Sequence, residues 1–319
     1  MAHKAPGKHY RKGITLLELA RMFPNENAAR EWFENILWPN GKRYCPRCGS
    51  DDTHQASHLK MPYRCRDCRK YFSVKTGTVM AGSPLPLLKW VYAIYLDPTS
   101  LKGVSSMKLH RDLGITQKSA WYMQQRIREA FAAEGPSLMA GPVEVDETYM
   151  GGREKNKHSS KKLRAGRGTV GKTAVVGAKD RATNQVKAQV VPSTDAQTLQ
   201  GFVREHASEE AMVYTDEHRA YEGLPNHQAV KHSVGEYVDE MAHVNGPESF
   251  WSMLKRAHKG TFHKLSAKHL QRYVNEFAGR HNVRELDTID QMAAITSRLG
   301  GKSLPYQDLI GKNGLPRGC

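Results

Sequence analysis

Two short turns, Cys45-Pro-Arg-Cys48 and Cys65-Arg-Asp-Cys68, lie 16 residues apart and constrain this chain more than any other feature. Each CxxC lets two thiolates reach one ion from a tight turn, and two pairs at this spacing match a tetrahedral zinc site of four thiolates. Gly49 gives the backbone freedom just after the first turn. A redox dithiol would need one pair only. A closed four-thiolate shell leaves no position for water, so the expectation is one structural zinc in a ribbon spanning residues 41–76. The fifth cysteine, Cys319, stands alone near the C-terminus. This cysteine usage suits a reducing compartment better than a disulfide framework. Arg43, Lys60, Arg64, Arg66, Arg69 and Lys70 surround the knuckles, either as phosphate contacts or as a solvated basic shell.

Charge narrows the partner. Lys and Arg number 48 against 32 Asp and Glu, a net charge of +16, which favours a polyanion because basic side chains meeting phosphates release condensed counterions. Nucleic acid leads; anionic lipid or ribosomal contacts would ask for similar charge. The basic N-terminus MAHKAPGKHYRKG lacks the apolar stretch of a secretory signal, and Lys89 breaks the longest oily run, Leu85 to Leu96. A soluble, intracellular protein without membrane association is expected.

Periodicity divides the chain further. Residues 1–40 read as a basic arm followed by helices carrying Leu16, Leu19, Ala20 and Phe23, then Ala29, Trp32, Phe33, Ile36 and Leu37. Residues 83–135 return to helices, the first ending at Pro98. Ser105 or Ser106 is placed to cap a short helix, Gly114 to turn the chain and Thr116 to cap a longer one, a helix-turn-helix pattern. Gln117, Lys118 and Trp121 stand where such a helix meets base edges, and Gln124, Gln125, Arg126 and Arg128 continue the polar face. An ordinary helical hairpin bracing the rest of the chain is the competing reading.

After Gly135-Pro136, strand-like runs appear at 143–149, 173–178, 186–191 and 211–215, interleaved with helices at 196–206, 248–258 and 266–281. These define an α/β domain over 141–285, with a C-terminal helix and a Gly/Pro-rich, loosely held tail in 286–319. Within this domain Asp146 follows Val143 and Val145 near a strand end ahead of Gly151-Gly152, and Asp216 ends the run Met212-Val213-Tyr214. The ends of strands in open α/β sheets are the usual place for ligands. Asp146 alone reads equally as a solvated strand end, and Asp216 as a cap for a following helix. Glu147 and Glu217 point away if the aspartates point inward.

Glu248 begins a helix with Ser252, Lys255 and Lys259 near its own face and Phe250, Leu254 and Ala257 on the apolar side. Asn245 and Glu248 also read as a capping box, with Pro247 in the first turn. Three acids on separate elements match what hard divalent cations need around a phosphate. The segment 153–172 between the first two strands holds eight Lys/Arg and one Glu, as a solvated loop or as a DNA grip through Arg153, Lys155, Lys157, Lys161, Lys162, Arg164 and Arg167.

In their order, CPRCGS, CRDC, VDETYMGG, VYTDEHRAY, HVNGPESFWSMLKR and GTFHKLSAKHLQRYVNEFAGRHN resemble zinc-ribbon insertion-sequence transposases of the ISXO-like type, over roughly residues 30–282. The resemblance implies an α/β, RNase H-like DDE catalytic domain, a mixed sheet with flanking helices, behind a helical segment, zinc ribbon and helix-turn-helix region. It implies Asp146, Asp216 and Glu248 as catalytic carboxylates holding two Mg²⁺ or Mn²⁺ ions, with His243, Asn245 and Lys255 in support. Double-stranded DNA, as terminal inverted repeats and target, is the implied partner. A homodimer or larger synaptic complex in the bacterial cytoplasm, on the nucleoid, follows from the same resemblance. A metal-dependent nuclease and a non-catalytic zinc-dependent DNA-binding regulator are the alternatives.

Overall fold

Local capping chemistry sets the N-terminal helices. Thr15 accepts from the Glu18 N–H and the Glu18 carboxylate accepts from the Thr15 N–H at 2.7 Å, a capping box that starts α1 (Leu16–Met22). Asn25 caps α2 (Glu26–Leu37) through the Ala28 N–H at 3.0 Å. The ribbon follows as β1 (Thr53–Gln55), β2 (Tyr63–Cys65) and β3 (Tyr71–Phe72), antiparallel throughout. Helix α3 (Leu87–Thr99) begins after Pro86, which brings no side-chain cap; Glu26 of α2 supplies one, accepting from the Leu87 and Leu88 N–H groups at 2.7 and 3.0 Å. The helix runs one residue past Pro98, because a missing N–H in a final turn breaks little of the ladder. Helices α4 (Ser106–Leu113) and α5 (Gln117–Glu129) are capped by Ser105 and Thr116 and joined through Gly114 at φ 56°. Two capped helices joined by a short turn therefore stand where the sequence pattern placed them.

The computed structural model describes residues 11–132, 138–152, 154–163, 168–229 and 245–311. These form two compact units. One holds the described residues up to Phe131 together with Val283–Gly311; the other runs from Ala132 to Asn282.

In the first unit, ribbon and helices share one core: Phe33, Trp90, Ile94, Met123, Met292 and Ile295 cluster with Tyr63, Phe72 and Cys45. Trp38 meets Tyr63 and Phe72 edge-on, and the Tyr63 hydroxyl donates to Glu34 at 2.7 Å, fixing the ribbon against α2. The chain returns to this unit through α9 (Thr288–Ser297) and α10 (Tyr306–Ile310). The Val79 N–H donates to Leu299 O and the Gly301 N–H to Gly77 O, stitching the return to the segment after the ribbon. The tail expected to be loose is thus bound as far as α10. Leu304 and Leu309 are buried, and the Tyr122 hydroxyl of α5 donates to Leu304 O at 2.7 Å. Residues 312–319 lie outside the described residues.

The second unit is built on a five-stranded sheet. Strands β4 (Val143–Met150), β5 (Thr173–Asp180) and β6 (Val186–Val191) are antiparallel, then β7 (Val213–Thr215) and β8 (His227–Ala229) run parallel to β4, in the order β6-β5-β4-β7-β8. Strand β8, in His-Gln-Ala, carries too little apolar pattern to be read from sequence. Helix α6 (Ala196–His206) covers one face, over Val143, Val145, Val176 and Val213; α7 (Asn245–Ala257) and α8 (Ala267–Asn282) cover the other, over Val175, Val186 and Met150. This is the mixed sheet with flanking helices that the resemblance implies. Among the described residues no helix is long and apolar enough to cross a membrane.

Because Leu309 is fully buried, Leu309→Ala should destabilise the first unit by roughly 2–4 kcal/mol, the range for Leu truncation in a core. Denaturant unfolding checks this; an unchanged midpoint would mean that α10 is held only weakly.

Candidate functional site

The four knuckle cysteines converge. Cys45 Sγ lies 3.6 Å from Cys68 Sγ, Cys48 Sγ lies 3.6 Å from Cys65 Sγ, and all four sulfurs fall within 4.8 Å of one another. Tetrahedral zinc with Zn–S near 2.3 Å puts thiolates about 3.8 Å apart, so the donor set fits one structural ion. The backbone prepares it: the Cys45 N–H bonds Ser50 O at 2.7 Å and the Cys65 N–H bonds Lys70 O at 3.1 Å, closing two equivalent turns. Gly49 provides the left-handed residue in the first, at φ 78°; in the second Arg69 takes φ 58° despite its Cβ. Backbone N–H donation from Cys68 pulls the Cys65 thiol down, while the neighbouring thiols help push that of Cys48 up, as expected where adjacent thiols share protons.

In the second unit β4 carries the acids. The sequence placed Asp146 near a strand end, but it sits at mid-strand, in the centre of the sheet. It is accessible because β7 is short. Val143 pairs with Val213 and Glu144 with Tyr214, so two residues further on Asp146 lies beside Asp216, just past the end of β7. Burial first, then the charges of Glu147 and Asp216, push the Asp146 carboxyl up to about 7. Its oxygens each accept one hydrogen bond, Oδ1 from the Glu147 N–H at 2.8 Å and Oδ2 from Trp251 Nε1 at 2.9 Å. Asp216 Oδ1 accepts from the His218 N–H at 3.1 Å.

Glu147 was expected to point away. It does face the α6 side, where the Tyr221 hydroxyl donates to it at 2.9 Å and His218 Nε2 approaches to 3.9 Å. Yet burial and the charge of Asp216 raise its pKa, so it belongs to the same electrostatic cluster. Burial, then Glu147 and the two aspartates, hold the Tyr221 phenol strongly protonated.

Helix α7 is fixed to this strand. The Gly246 N–H donates to Glu144 Oε2 at 2.7 Å, while Arg181 Nε donates to Glu144 Oε1 at 2.6 Å. A Cβ on Gly246 would fall 2.6 Å from Glu144 Oε2 and 2.7 Å from Lys179 Cδ, so a larger residue would have to displace those side chains. A buried carboxylate thereby meets a helix N-terminus, where its charge is favoured. Glu248 lies in the first turn with its side chain exposed, on the same side as exposed Ser252 and Lys255, while Phe250, Trp251, Leu254 and Ala257 are buried. Among the described residues the four cysteines are the only group of three or more His, Cys, Asp or Glu poised on one ion, so Glu248 stands outside any closed carboxylate cage.

Other sequence candidates divide. Arg126 is buried: its guanidinium stacks on Tyr122 at 4.2 Å and donates to the Tyr122 hydroxyl at 2.7 Å, so it does not face outward. Gln125 and Arg128 are buried as well, because the C-terminal half of α5 is enclosed by the core. Gln117 and Lys118 are exposed, although Gln117 donates to Ser106 Oγ and Lys118 lies over the Tyr306 ring at 4.6 Å. In the basic insertion Lys157 is half-buried against Glu154 at 2.6 Å, whereas Lys162 is exposed. Arg153, Arg164, Arg167 and His243 lie outside the described residues, as do the side chains of Lys155, Lys161 and Asn245. Sequence reasoning missed Glu144, Trp251, Tyr221 and His218. The Trp in SFWSMLKR, at helical spacing from Glu248, was the one signal available.

Comparison with known proteins agrees with this layout. Residues 138–282 match the family described as the ISXO2-like transposase domain, and residues 24–71 match the transposase zinc-ribbon domain. A protein of Halobacterium salinarum, named an uncharacterized protein in transposable element ISH50, is 32% identical over 82% of this chain and 93% of its own length. An uncharacterized transposase-like protein of Haemophilus influenzae is 31% identical over 30% of this chain and 80% of its own.

Cys65→Ser should take bound zinc from one ion per chain to none and lower the melting temperature of the first unit, since Cys45 and Cys65 lie in its core. Metal analysis and calorimetry check this; zinc retained at one equivalent would exclude the four-thiolate site. A second expectation follows from Asp146. Its carboxyl is raised from 3.8 to about 7, so without divalent cation the second unit is most stable below the unfolded value and loses stability as pH rises through about 7. Asp146→Asn should remove that loss, and melting curves from pH 4 to pH 8 would show parallel profiles if Asp146 is not responsible.

Proposed function

The chain belongs to the ISXO2-like transposase family, and from that premise we propose that it binds the ends of an insertion sequence, hydrolyses phosphodiester bonds there and joins the freed 3′-hydroxyls to target DNA. The observation that carries the reading is the placement of Asp146 beside Asp216 where β7 ends, both half-buried, with the charge of Asp216 helping to raise the Asp146 carboxyl and, among the described residues, no cationic side chain bonded to either. Such a pair is an oxygen donor set for Mg²⁺ or Mn²⁺. Glu248, in the first turn of the helix docked on β4, is the proposed third ligand. Bound there, two ions would supply an activated water or 3′-hydroxyl and would stabilise the leaving oxygen.

The residues around the acids define what the protein itself contributes. Trp251 and the Glu147 N–H orient Asp146, and each of its oxygens keeps a free lone pair. Lys255, exposed on the Glu248 side of α7, would take a phosphate oxygen, and His243 and Asn245 are proposed to support the third acid from just before it. Lys162 with Arg153, Lys155, Lys161, Arg164 and Arg167, which follow Asp146 in the chain, would hold DNA in the second unit, and Gln117 and Lys118, at the exposed start of α5, would contact DNA in the first. Arg126 has no part in that contact. Joining two ends to one target calls for at least two copies of the chain, hence a dimeric or larger assembly.

The test uses DNA carrying the flanking inverted repeats of the element, incubated with the full chain and Mg²⁺. Cleavage and joining should both occur, and Asp146→Ala, Asp216→Ala or Glu248→Ala should each lower them by at least about 10²-fold, the scale of losing one electrostatic stabiliser of developing charge. Cleavage without joining would mark a nuclease, and binding without cleavage a regulator. Full activity in Asp146→Ala would remove the site.

A further inference from the structure

The tryptophan between helix and strand does more than fill space. Trp251 lies three residues after Glu248, one turn along α7, and is 3% exposed. Its indole N–H donates to Asp146 Oδ2 at 2.9 Å, across 105 residues of sequence. The ring lies over Gly177 of β5, which is the antiparallel partner of Asp146. A Cβ at Gly177 would stand 2.7 Å from both Cζ2 and Cη2 of the indole. The sheet therefore leaves a slot of one side chain beside Asp146, and the indole occupies it.

Resting on the catalytic reading above, we propose that Trp251 is a positioning residue: it locks the rotation of the Asp146 carboxylate and registers the helix that carries Glu248 against the strand that carries Asp146. A carboxylate rotates broadly about its last torsion. Here the Glu147 N–H takes one lone pair of Oδ1 and the indole N–H one of Oδ2, so the plane is set and the remaining lone pairs are presented together. The same bond ties α7 to β4 one turn beyond Glu248, while the Glu144 bond to Gly246 ties it two residues before. Two attachments five residues apart define both the height and the rotation of the helix, and Glu248 lies between them.

A buried indole N–H needs an acceptor in any case. A structural role alone would make Trp251→Phe less stable without changing how the protein meets metal, and that difference is measurable. Trp251→Phe keeps a ring in the slot and removes the N–H; Gly177→Ala keeps the N–H and displaces the ring. Both variants should fold, with zinc content and circular dichroism as wild type. Both should bind Mn²⁺ about 10 to 100-fold more weakly in calorimetric titration, the effect of losing a group that orients a ligand. The Mg²⁺ concentration for half-maximal cleavage should rise by the same factor. Wild-type Mn²⁺ affinity in a folded Trp251→Phe protein overturns the proposal.

Should Trp251→Phe fail to fold, wild-type protein labelled with ¹⁵N-tryptophan decides. The indole resonance absent from Gly177→Ala's native position should shift on adding Mg²⁺; five unmoved indole resonances would refute the link. Asp146→Ala that still cleaves DNA would overturn the catalytic reading itself, whereas an inactive Asp146→Ala beside a metal-competent Trp251→Phe would overturn this inference alone.

Discussion

The crowding of half-buried acids at the end of β7 shapes the second unit. Asp146, Glu147 and Asp216 share a region where Glu147 and Asp216 raise the proton affinity of Asp146 and Asp216 raises that of Glu147, and a fold cannot gather such charges without means of holding them apart or in place. The surrounding residues do this by neutral hydrogen bonds. Tyr221 donates to Glu147, Trp251 to Asp146 and the His218 backbone to Asp216, so each acid is oriented by a donor that does not cancel its charge. By contrast Glu144, two residues before Asp146 on the same face, is paired with Arg181 and with a helix N-terminus. One strand thus carries a neutralised acid that builds the scaffold and an unneutralised acid available to a cation. The difference between them lies in their partners.

The first unit answers a different constraint. The three ribbon strands are two or three residues long, too short to bury a core of their own. Four convergent thiolates fix the loops, and Trp38, Tyr63 and Phe72 carry the ribbon into the core of the helices. The cost shows at Arg69, which adopts the left-handed conformation that glycine takes freely in the first knuckle. Repeating one knuckle geometry twice matters more to the site than avoiding that strain.

Much of this was legible in the sequence where the signal is local. The CxxC spacing, the caps at Ser105 and Thr116, the turn at Gly114 and the runs at 143–149 and 186–191 each depend on residues a few positions apart, and each has its counterpart in the structure. What was not legible depends on residues far apart in the chain. Glu144 reads as one polar residue of an alternating strand until Gly246 arrives, 102 residues later. Glu147 was set aside by the alternation rule, which is correct for a strand continuous with its neighbours. Strand β7 stops at Thr215, and beyond that point a side chain on the opposite face can still act electrostatically on Asp216. The tail misled through composition: its Gly and Pro content concealed Leu304 and Leu309, both buried, and a backbone carbonyl at Leu304 that Tyr122 of α5 reaches from 182 residues away.

Helix α5 divides along its length into an exposed start and an enclosed C-terminal half. Its C-terminal half carries Gln125, Arg126 and Arg128 inside the protein, where Tyr122 stacks on Arg126 and accepts its hydrogen bond. A basic residue so enclosed cannot meet a phosphate without giving up those contacts, so any basic face on this helix is confined to the first two turns. There Lys118 rests on Tyr306, and Tyr306 also meets Tyr122 edge-on at 5.2 Å. The reading of α5 as recognition helix and its reading as brace are therefore compatible, one for each half. The C-terminal helix α10 touches the boundary between them, and through Lys118 and Tyr122 it bears on both.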